Sequence, residues 1–315
     1  MRKKTKILIL GADGFLGSNL AKSLAKDGEY KLRTFDLFES GILRNLKGFE
    51  KKMEIFAGNF LNREDLRKAL KGMDYVFHFV SLTTPGSSMN DPLIDVDANI
   101  RGTIVLLEEC VKAKIKKIIF PSSGGAIYGN QKKDKFRESD PQDPISPYAI
   151  SKLAIEKYLE YFRVRRGLDY LVLRYSNPYG PGQNVVGTQG IIPIFLNLVK
   201  QNKPITIFGD GENVRDYIFI DDVIENTKKI VFRNKVKYRI YNIGKGEGTT
   251  INQVIDTIRK ATGKNIKVKK TPARSIDVRR IVLDTGRIRE EISISSGISL
   301  EEGVGKTWTW VREST

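Results

Sequence analysis

Tyr148 and Lys152 are the residues whose types and spacing most clearly suggest chemistry, and they lie in the segment SPYAISK of residues 146–152. Proline is favoured at the start of a helix, and side chains four positions apart share a helix face. An ammonium group near a phenol stabilises the phenolate and lowers the tyrosine pKa from its usual value of about 10. Such a tyrosine can take a proton from an alcohol while a hydride leaves the same carbon. A lone Tyr-x-x-x-Lys is usually an exposed pair, so this interpretation depends on the rest of the chain.

A glycine-rich stretch, GADGFLG at residues 11–17, stands between a predicted strand and a predicted helix. Glycines permit a tight turn and let the backbone approach a pyrophosphate, while the amides of a helix N-terminus attract its charge. Asp36 closes the next predicted strand, where a carboxylate can bind both ribose hydroxyls and repel a 2′-phosphate; its alternative role is a turn or N-cap aspartate. The pattern therefore predicts a dinucleotide site that prefers NAD to NADP. The predicted cofactor contacts are Gly11, Gly14, Phe15, Leu16, Gly17 and Asp36, with Asn59, Phe60, Phe79, Val80 and Ser81 after the third and fourth strands.

The first half of the chain alternates short apolar strands with amphipathic helices. Strands are predicted at residues 6–10, 31–35, 53–57, 74–80 and 116–120, and helices at 15–26, 63–70 and 91–112. This rhythm is typical of a parallel sheet with helices on both faces. Residues 121–147 are predicted as a loop, followed by a helix at 148–166 and a strand at 170–174. We therefore predict an α/β fold, a Rossmann-type doubly wound parallel sheet with a smaller C-terminal substrate lobe. The NAD-binding domain is predicted at 1–176 and the lobe mainly at 177–315, with some of that chain returning to the first domain.

The chain of 315 residues has a formal net charge of +17, from 54 basic and 37 acidic side chains. This charge fits a lysine-rich solvated surface, or the attraction of anionic small molecules such as nucleotide sugars. Nucleic-acid binding is disfavoured, because no basic stretch is interleaved with aromatic residues that could stack on bases. No apolar run approaches the roughly 20 residues of a membrane span, so the sequence predicts a soluble, cytoplasmic protein with no membrane partner.

Two residues of reactive types are assigned to the core. Cys110 is the single cysteine, which excludes an internal disulfide, and its apolar helical surroundings predict a packed thiol. His78 is the single histidine and lies inside an apolar strand, which favours a structural role. Because the sequence has no cluster of Cys and His residues, it indicates no metal site.

Taken together, the motifs resemble the extended short-chain dehydrogenase/reductases, and among them the nucleotide-sugar epimerase/dehydratase group typified by UDP-galactose 4-epimerase. The resemblance extends from Lys6 to about Asp284. Besides the segments above, it rests on NIRGT at 99–103, SSGGAIYG at 122–129, RYSNPYGP at 174–181, GDG at 209–211 and RDYIFIDD at 215–222. It implies that Tyr148 is the acid/base and that Lys152 holds the ribose and tunes Tyr148.

The resemblance also implies further binding residues and a homodimer. The implied cofactor contacts are Asn99, Ser122 and Tyr175, the last bordering the nicotinamide, and the implied ligands of the substrate diphosphate are Asn177, Arg215 and Arg274. The planar fork of an arginine matches phosphate oxygens. For the two arginines, the alternative is a surface ion pair with Asp216 or Asp277.

The motif before Tyr128 departs from the usual family pattern. Relatives carry Ser or Thr four residues before that tyrosine, where this chain has Gly124. Because two glycines give local freedom, we take Ser123 as the third catalytic residue. The 4,6-dehydratases of the family place an Asp-Glu pair next to the Ser/Thr, whereas this chain has Gly125 and Ala126, which cannot transfer a proton.

The resemblance therefore implies epimerisation at C4 of a nucleotide sugar of the UDP-glucose/UDP-galactose type, through transient oxidation to a 4-keto sugar. Two alternatives stay open. A net nucleotide-sugar oxidoreductase, such as a 4-ketosugar reductase or a C4 dehydrogenase, would use the same residues but release its cofactor. A non-catalytic NAD-binding sensor is disfavoured by the intact pair of Tyr148 and Lys152.

Overall fold

The computed structural model describes residues 4–187, 189–273, 278–294 and 297–313. The strands are β1 (Lys6–Leu10), β2 (Lys31–Asp36), β3 (Glu54–Ala57), β4 (Tyr75–His78), β5 (Lys117–Ser123), β6 (Asp169–Tyr175), β7 (Asn177–Tyr179), β8 (Ile205–Phe208), β9 (Val214–Arg215), β10 (Tyr217–Phe219), β11 (Ile240–Ile243), β12 (Thr249–Thr250), β13 (Val268–Thr271) and β14 (Arg280–Ile281). The helices are α1 (Phe15–Asp27), α2 (Arg63–Leu70), α3 (Pro92–Ile94), α4 (Gly102–Lys112), α5 (Pro147–Arg166), α6 (Ile191–Lys200), α7 (Ile220–Val231), α8 (Ile251–Thr262), α9 (Gly286–Glu291) and α10 (Leu300–Glu313). A π-helical segment, Asp95–Arg101, joins α3 to α4.

The main sheet has seven strands in the order β11-β6-β5-β4-β1-β2-β3. β1 pairs in parallel with β2 on one side and with β4 on the other, and the pairs β2–β3 and β4–β5 are also parallel. Residues 7–10 of β1 are fully buried, as expected of a strand covered on both faces. The strand order reverses at β1, and open parallel sheets bind ligands at such a point, beyond the carboxyl ends of the strands. The α/β fold of Rossmann type predicted from the sequence is confirmed.

The chain forms two compact units. The first comprises Met1–Ser122 and Pro147–Leu173, and the second comprises Ser123–Ser146 and Arg174–Thr315. The sequence predicted a division between residues 176 and 177 with some later chain returning to the first domain, and this assignment of cofactor and substrate roles stays a prediction. It did not foresee that residues 123–146 join the second unit. There Phe136 donates its backbone N–H to Val282 O at 2.9 Å and packs with Leu283 in a buried cluster, contacts that a loop without periodicity does not reveal.

Short sheets and helices make up the second unit. β7 pairs in parallel with β10, β9 lies between β12 and β14, and β8 pairs with β13, while α10 packs against α6 and α8. Asp216, between β9 and β10, is fully buried. Its carboxylate accepts backbone N–H groups at 2.8, 3.1 and 3.2 Å from Lys245, Gly246 and Leu283. This carboxylate therefore joins segments of the unit that share no strand ladder.

Three predicted elements have different bounds in the structure. The strand predicted at 74–80 is the shorter β4; Phe79 N–H still donates to Leu10 O at 2.9 Å, and Phe79 and Val80 line a cavity. The loop predicted at 121–147 is shorter at both ends: α5 begins at Pro147, and β5 continues to Ser123, beyond which Gly124 N–H donates to Tyr175 O at 2.8 Å. The helix predicted at 91–112 is interrupted by the π-helical segment. Within this wider turn the buried Asn99 side-chain amide donates a hydrogen bond to the buried Asp95 carboxylate. The other predicted ends agree within one residue.

Cys110 and His78 lie in the core, as the sequence predicted. Cys110 is fully buried. His78 is 1 % exposed, with Nε2 2.9 Å from Thr103 Oγ1, and burial lowers its pKa to about 3, so the imidazole is neutral. Within the part of the chain that the structure describes, no helix is both long and apolar enough to span a membrane.

Candidate cofactor and catalytic site

The glycine-rich turn lies directly against the chain that follows β4. Gly11 has a φ of 74°, in the left-handed region that favours glycine, and donates its N–H to Phe35 O at 2.9 Å. A Cβ on Gly11 would lie 2.9 Å from Phe79 C and Val80 N, and a Cβ on Gly17 would lie 2.2 Å from Gly11 O. Neither position can hold a larger residue unless the backbone moves. The first and last glycines of the motif are therefore required by close backbone approach.

Helix α1 starts immediately after this turn, and its N-cap residue makes no side-chain capping bond. The first amides of a helix lack partners within the helix and carry partial positive charge, so they can bind an anion. Gly14, the N-cap residue, is exposed and has no side chain that could cover these amides. The start of α1, at Phe15, Leu16 and Gly17, is thus suited to a pyrophosphate.

A cavity of about 450 Å³ opens between the glycine turn and the loop after β2. Its lining includes the predicted contacts Gly11, Gly14, Asp36, Phe79, Val80 and Ser81. The Asp36 carboxylate accepts backbone N–H groups from Asp13 and Leu37, both at 2.9 Å, which fixes its orientation. A cavity at the carboxyl end of β2 that the oriented Asp36 carboxylate lines fits the adenosine part of a dinucleotide.

Asn59 and Phe60 are not among the residues that line this cavity. Phe60 is 6 % exposed and stacks on His78 with the ring centres 5.0 Å apart. The backbone of Asn59 is held by the Asp65 carboxylate at 2.9 Å, and its side chain accepts the Leu61 N–H at 2.9 Å. In this structure Phe60 packs beneath the site and Asn59 forms a turn, and their predicted roles at the cofactor stay predictions.

Helix α5 begins at Pro147, which places Tyr148 and Lys152 in its first two turns. Lys152 is 6 % exposed, and its Nζ donates to Pro121 O at 3.1 Å. The same Nζ lies 4.7 Å from the centre of the Phe120 ring and 5.5 Å from the centre of the Tyr148 ring. In this structure the Lys152 ammonium thus lies near the Tyr148 ring, and the acid/base role predicted for Tyr148 stays a prediction.

Two buried carboxylates help Lys152 to keep its charge. Burial lowers the pKa of Lys152 to about 8, while Asp95 and Glu156 act in the opposite direction. Glu156 lies one turn after Lys152 on α5 and accepts the Ser122 hydroxyl at 2.5 Å. Asp95 is 1 % exposed, and its Oδ2 has no hydrogen-bond partner among the described residues. Sequence reasoning missed both carboxylates, although an acid one turn after Lys152 on a buried helix face was an available signal for Glu156.

Asn99 uses both ends of its side-chain amide within the protein. Its Oδ1 accepts the Leu82 N–H at 3.1 Å, and its Nδ2 donates to Thr83 Oγ1 and Asp95 Oδ1, both at 2.9 Å. These bonds fasten the segment after β4, whose first residues line the cavity. In this structure Asn99 supports the predicted cofactor site through that segment.

Gly124, where the chain departs from the family pattern, has little room for a side chain. A Cβ there would lie 2.6 Å from Leu283 Cδ1 and 3.1 Å from Arg174 O, and Leu283 is fully buried. Ser122 is 4 % exposed and its hydroxyl is bound to a carboxylate of α5. Ser123, the last residue of β5, is only partly buried. Of the two serines, Ser123 is therefore the better candidate for contact with a substrate.

Two other tyrosines of the motifs have hydroxyls that are engaged in the second unit. Tyr175, predicted to border the nicotinamide, is 4 % exposed, and its hydroxyl lies 2.8 Å from Thr227 Oγ1. Tyr128 donates to Asn242 Oδ1 at 2.8 Å and accepts from Arg174 at 3.0 Å. Burial raises the pKa of both phenols, that of Tyr128 to about 12. Both are therefore poor proton acceptors near neutral pH.

The predicted diphosphate ligands belong to the second unit as far as the structure describes them. Asn177, the first residue of β7, donates its side-chain amide to Asp216 O at 3.2 Å. Tyr217 pairs with Asn177 across β10 and β7, so Arg215, two residues earlier in the chain, lies near the same end of this strand pair. Arg274 lies outside the described residues. Two of the three predicted ligands are thus brought to one region.

A glycine turn at β1, an aspartate at the end of β2 and a buried lysine beside a tyrosine on α5 define a dinucleotide-dependent enzyme with a Tyr-x-x-x-Lys pair. Residues 7–244 match the NAD dependent epimerase/dehydratase family. The chain belongs to this family, and its cofactor is NAD.

Similarity to UDP-glucose 4-epimerases covers nearly the whole chain. The crystal structure of UDP-glucose 4-epimerase with UDP-glucose from Thermotoga maritima is 36 % identical, with a TM-score of 0.91 over 98 % of this chain and 99 % of that chain. The complex of UDP-glucose 4-epimerase with NAD from Thermus thermophilus is 31 % identical, with a TM-score of 0.91 over 99 % and 100 % of the two chains. UDP-glucose 4-epimerase of Mycolicibacterium smegmatis is 32 % identical over 314 residues, which is 98 % of this chain and 99 % of the relative.

Proposed function

We propose that this protein is an NAD-dependent epimerase that inverts C4 of a UDP-hexose of the glucose/galactose type. The observation that carries the proposal is the buried Lys152 ammonium beside the Tyr148 ring, in a chain similar over its length to UDP-glucose 4-epimerases. Family membership supports the class of chemistry, and the names of these relatives support the choice of sugar.

When bound, NAD would supply the acceptor for a hydride from C4 of the sugar and, in its reduced form, the donor for hydride return to the opposite face. Tyr148 takes the proton of the C4 hydroxyl during oxidation and gives it back during reduction. Lys152 holds the ribose hydroxyls and stabilises the Tyr148 phenolate. The remaining assigned roles are a hydrogen bond to the reacting oxygen from Ser123 and diphosphate binding by Asn177, Arg215 and Arg274.

Elimination of water from the sugar is disfavoured by the residues next to Gly124. Dehydration needs a second proton donor and acceptor beside the reacting carbon, and Gly125 and Ala126 offer no titratable group. A net oxidoreductase would use the same Tyr148 and Lys152, and it differs from an epimerase in exchanging its cofactor after each turnover.

The experiment that tests the proposal is incubation of the purified enzyme with UDP-glucose or UDP-galactose. Each sugar should be converted to the other without a steady change in NADH absorbance, because the hydride returns to the product. Chromatography of the nucleotide sugars identifies the products. Continuous NADH accumulation would support the dehydrogenase alternative, and a 4-keto-6-deoxy product would contradict the argument from Gly125 and Ala126.

Ser123→Ala is expected to lower turnover about tenfold or more, and Ser122→Ala to have a smaller effect. An oxygen that gains or loses charge in a dry site needs a hydrogen-bond partner besides Tyr148, and one unsatisfied contact costs about 1–3 kcal/mol. The measurement is kcat for UDP-galactose with each single variant and the double variant. Full turnover in all three variants would remove Ser123 from the mechanism.

Turnover is expected to fall as the pH rises through about 8, where the Lys152 ammonium loses its proton. Burial lowers the pKa of Lys152 and the Asp95 carboxylate raises it, so Asp95→Asn should move the fall to lower pH. Asparagine keeps the oxygen that accepts from Thr83 and Asn99. The measurement is the pH profile of kcat for the NAD-loaded enzyme and the variant. A fall that stays in place, or moves to higher pH, would contradict this role of Asp95.

The homodimer implied by family resemblance stays a prediction. On α5 the apolar side chains of Ile150, Tyr161 and Val164 are 51, 52 and 62 % exposed, so this helix offers a surface that a second copy could cover. Light scattering of the purified protein measures its mass, and a monomeric mass at working concentration would contradict the prediction.

A further inference from the structure

The side chain of Asp13, in the middle of the glycine turn, binds three consecutive backbone amides of the loop after β2. Its carboxylate accepts the N–H of Arg44 at 2.8 Å, of Asn45 at 2.8 Å and of Leu46 at 2.9 Å. In return, the Asn45 side-chain amide donates to Asp13 O at 2.8 Å. We call these four bonds the Asp13 clasp.

A carboxylate at this position needs an explanation, because the glycine turn is suited to a pyrophosphate. An aspartate facing that site would repel the anion. In the structure the Asp13 carboxylate is directed at the three amides of the loop, and such bonds to a charged acceptor are stronger than neutral ones. The clasp therefore engages both carboxylate oxygens of Asp13 with amides of the loop.

The loop fastened by the clasp forms one wall of the 450 Å³ cavity. Leu37, Phe38, Ile42 and Arg44 line it from this side, and the glycine turn lines it from the other. The wall has little regular structure: one 3-10 turn, Glu39–Gly41, is preceded by Phe38 with a φ of 43°, a left-handed conformation that is unfavourable for phenylalanine. A loop of this kind keeps its position through specific anchors, and the clasp supplies an anchor at its end.

Asp13 also orients Asp36, whose carboxylate is predicted to bind the ribose. The backbone N–H of Asp13 donates to Asp36 Oδ2 at 2.9 Å, while its side chain holds Arg44–Leu46. Asp13 is thus the point at which the glycine turn, Asp36 and the loop wall meet. A change in its side chain would free the wall while leaving the glycines in place.

We propose that Asp13 is a positioning residue for the cofactor, whose clasp holds the loop wall against the adenosine cavity and so slows the release of NAD. The proposal rests on NAD binding and not on the identity of the sugar. A binding-site wall that is held closed lowers the rate at which the ligand dissociates. An epimerase returns its hydride to the same sugar and gains from a cofactor that stays bound, so the clasp would serve that reaction.

The test is the rate of NAD release from the whole protein. The protein is loaded with the fluorescent analogue etheno-NAD, excess NAD is added, and the loss of bound fluorescence is followed. Asp13→Ala should release the analogue at least about tenfold faster, because three charge-assisted bonds to the wall are lost. Hydrogen exchange at residues 44–46 should become faster in the same variant without cofactor.

Glu50→Ala is the matched control, because the Glu50 carboxylate also accepts a nearby backbone N–H, that of Gly48 at 2.8 Å, but does not line the cavity. Its release rate should stay within about twofold of the unchanged protein. If Asp13→Ala is insoluble, Asp13→Asn keeps the shape and one acceptor oxygen, and it should give an intermediate rate. Release by the Asp13 variants at the unchanged rate, or equal acceleration by Glu50→Ala, would overturn the proposal. These outcomes do not depend on turnover of any sugar.

Discussion

Replacing Tyr148 by phenylalanine is expected to lower turnover at least about a hundredfold while NAD binding survives. General acid–base catalysis contributes roughly 10²–10⁴-fold to a rate, and the variant loses the proton acceptor but keeps the ring. Lys152 is held by Pro121 O and lies against Phe120, so its position does not depend on the lost hydroxyl. The loss should therefore fall on kcat, with little change in cofactor affinity.

The measurement for Tyr148→Phe is kcat for UDP-galactose together with NAD titration by calorimetry. Tyr158→Phe is a suitable control, because Tyr158 lies on the same helix and is 38 % exposed. The control should keep normal turnover. Near-normal turnover in Tyr148→Phe would exclude Tyr148 as the base, and a parallel loss of NAD would indicate a structural effect.

NADP is expected to bind about a hundredfold or more weakly than NAD. The Asp36 carboxylate lines the cavity predicted to bind adenosine and is held in place by the N–H groups of Asp13 and Leu37. A 2′-phosphate would meet this fixed negative charge and could not donate the hydrogen bond that a ribose hydroxyl gives to it. A penalty of about 3 kcal/mol, ordinary for like charges in contact, corresponds to about a hundredfold in affinity.

Calorimetric titration with both cofactors measures this preference. Asp36→Asn should reduce it to about tenfold or less, because the amide removes the repulsion. Glu39→Gln is the matched control: Glu39 lines the same cavity, but its exposed carboxylate lies 3.7 Å from the Arg44 guanidinium, so the preference for NAD should persist. Equal affinities of the unchanged protein for NAD and NADP would show that Asp36 is only structural.

The parts of the fold that follow local rules were predictable from the sequence. β1 and α1 flank a glycine turn whose residue types are dictated by backbone contacts, and apolar alternation located the central strands. The pair of Tyr148 and Lys152 was predictable because helical spacing alone places side chains on one face. In each case the signal lies within a few residues of the feature that it predicts.

Features that depend on distant contacts were not predictable. Residues 123–146 join the second unit through contacts such as that between Phe136 and Val282, far apart in sequence. Asp95 raises the pKa of Lys152 from a π-helical segment. The residues beside Asp95 in the sequence do not indicate that this aspartate is buried. Arg44–Leu46 reach Asp13 through backbone amides, which carry no residue-type signal. Long-range pairing of this kind requires the tertiary structure.

The Leu283 side chain restricts which residues can replace Gly124. A serine at position 124 would bring its Cβ within 2.6 Å of Leu283 Cδ1, and Leu283 is packed in a buried cluster with Phe136 and Tyr128. A smaller residue at 283 alone would leave a cavity, at a cost of about 2–5 kcal/mol. Each single change is thus unfavourable, while the pair partly compensates, a coupling that a double-mutant cycle on the free energy of unfolding measures. Packing against Leu283 is therefore sufficient to disfavour a larger residue at position 124 in this chain.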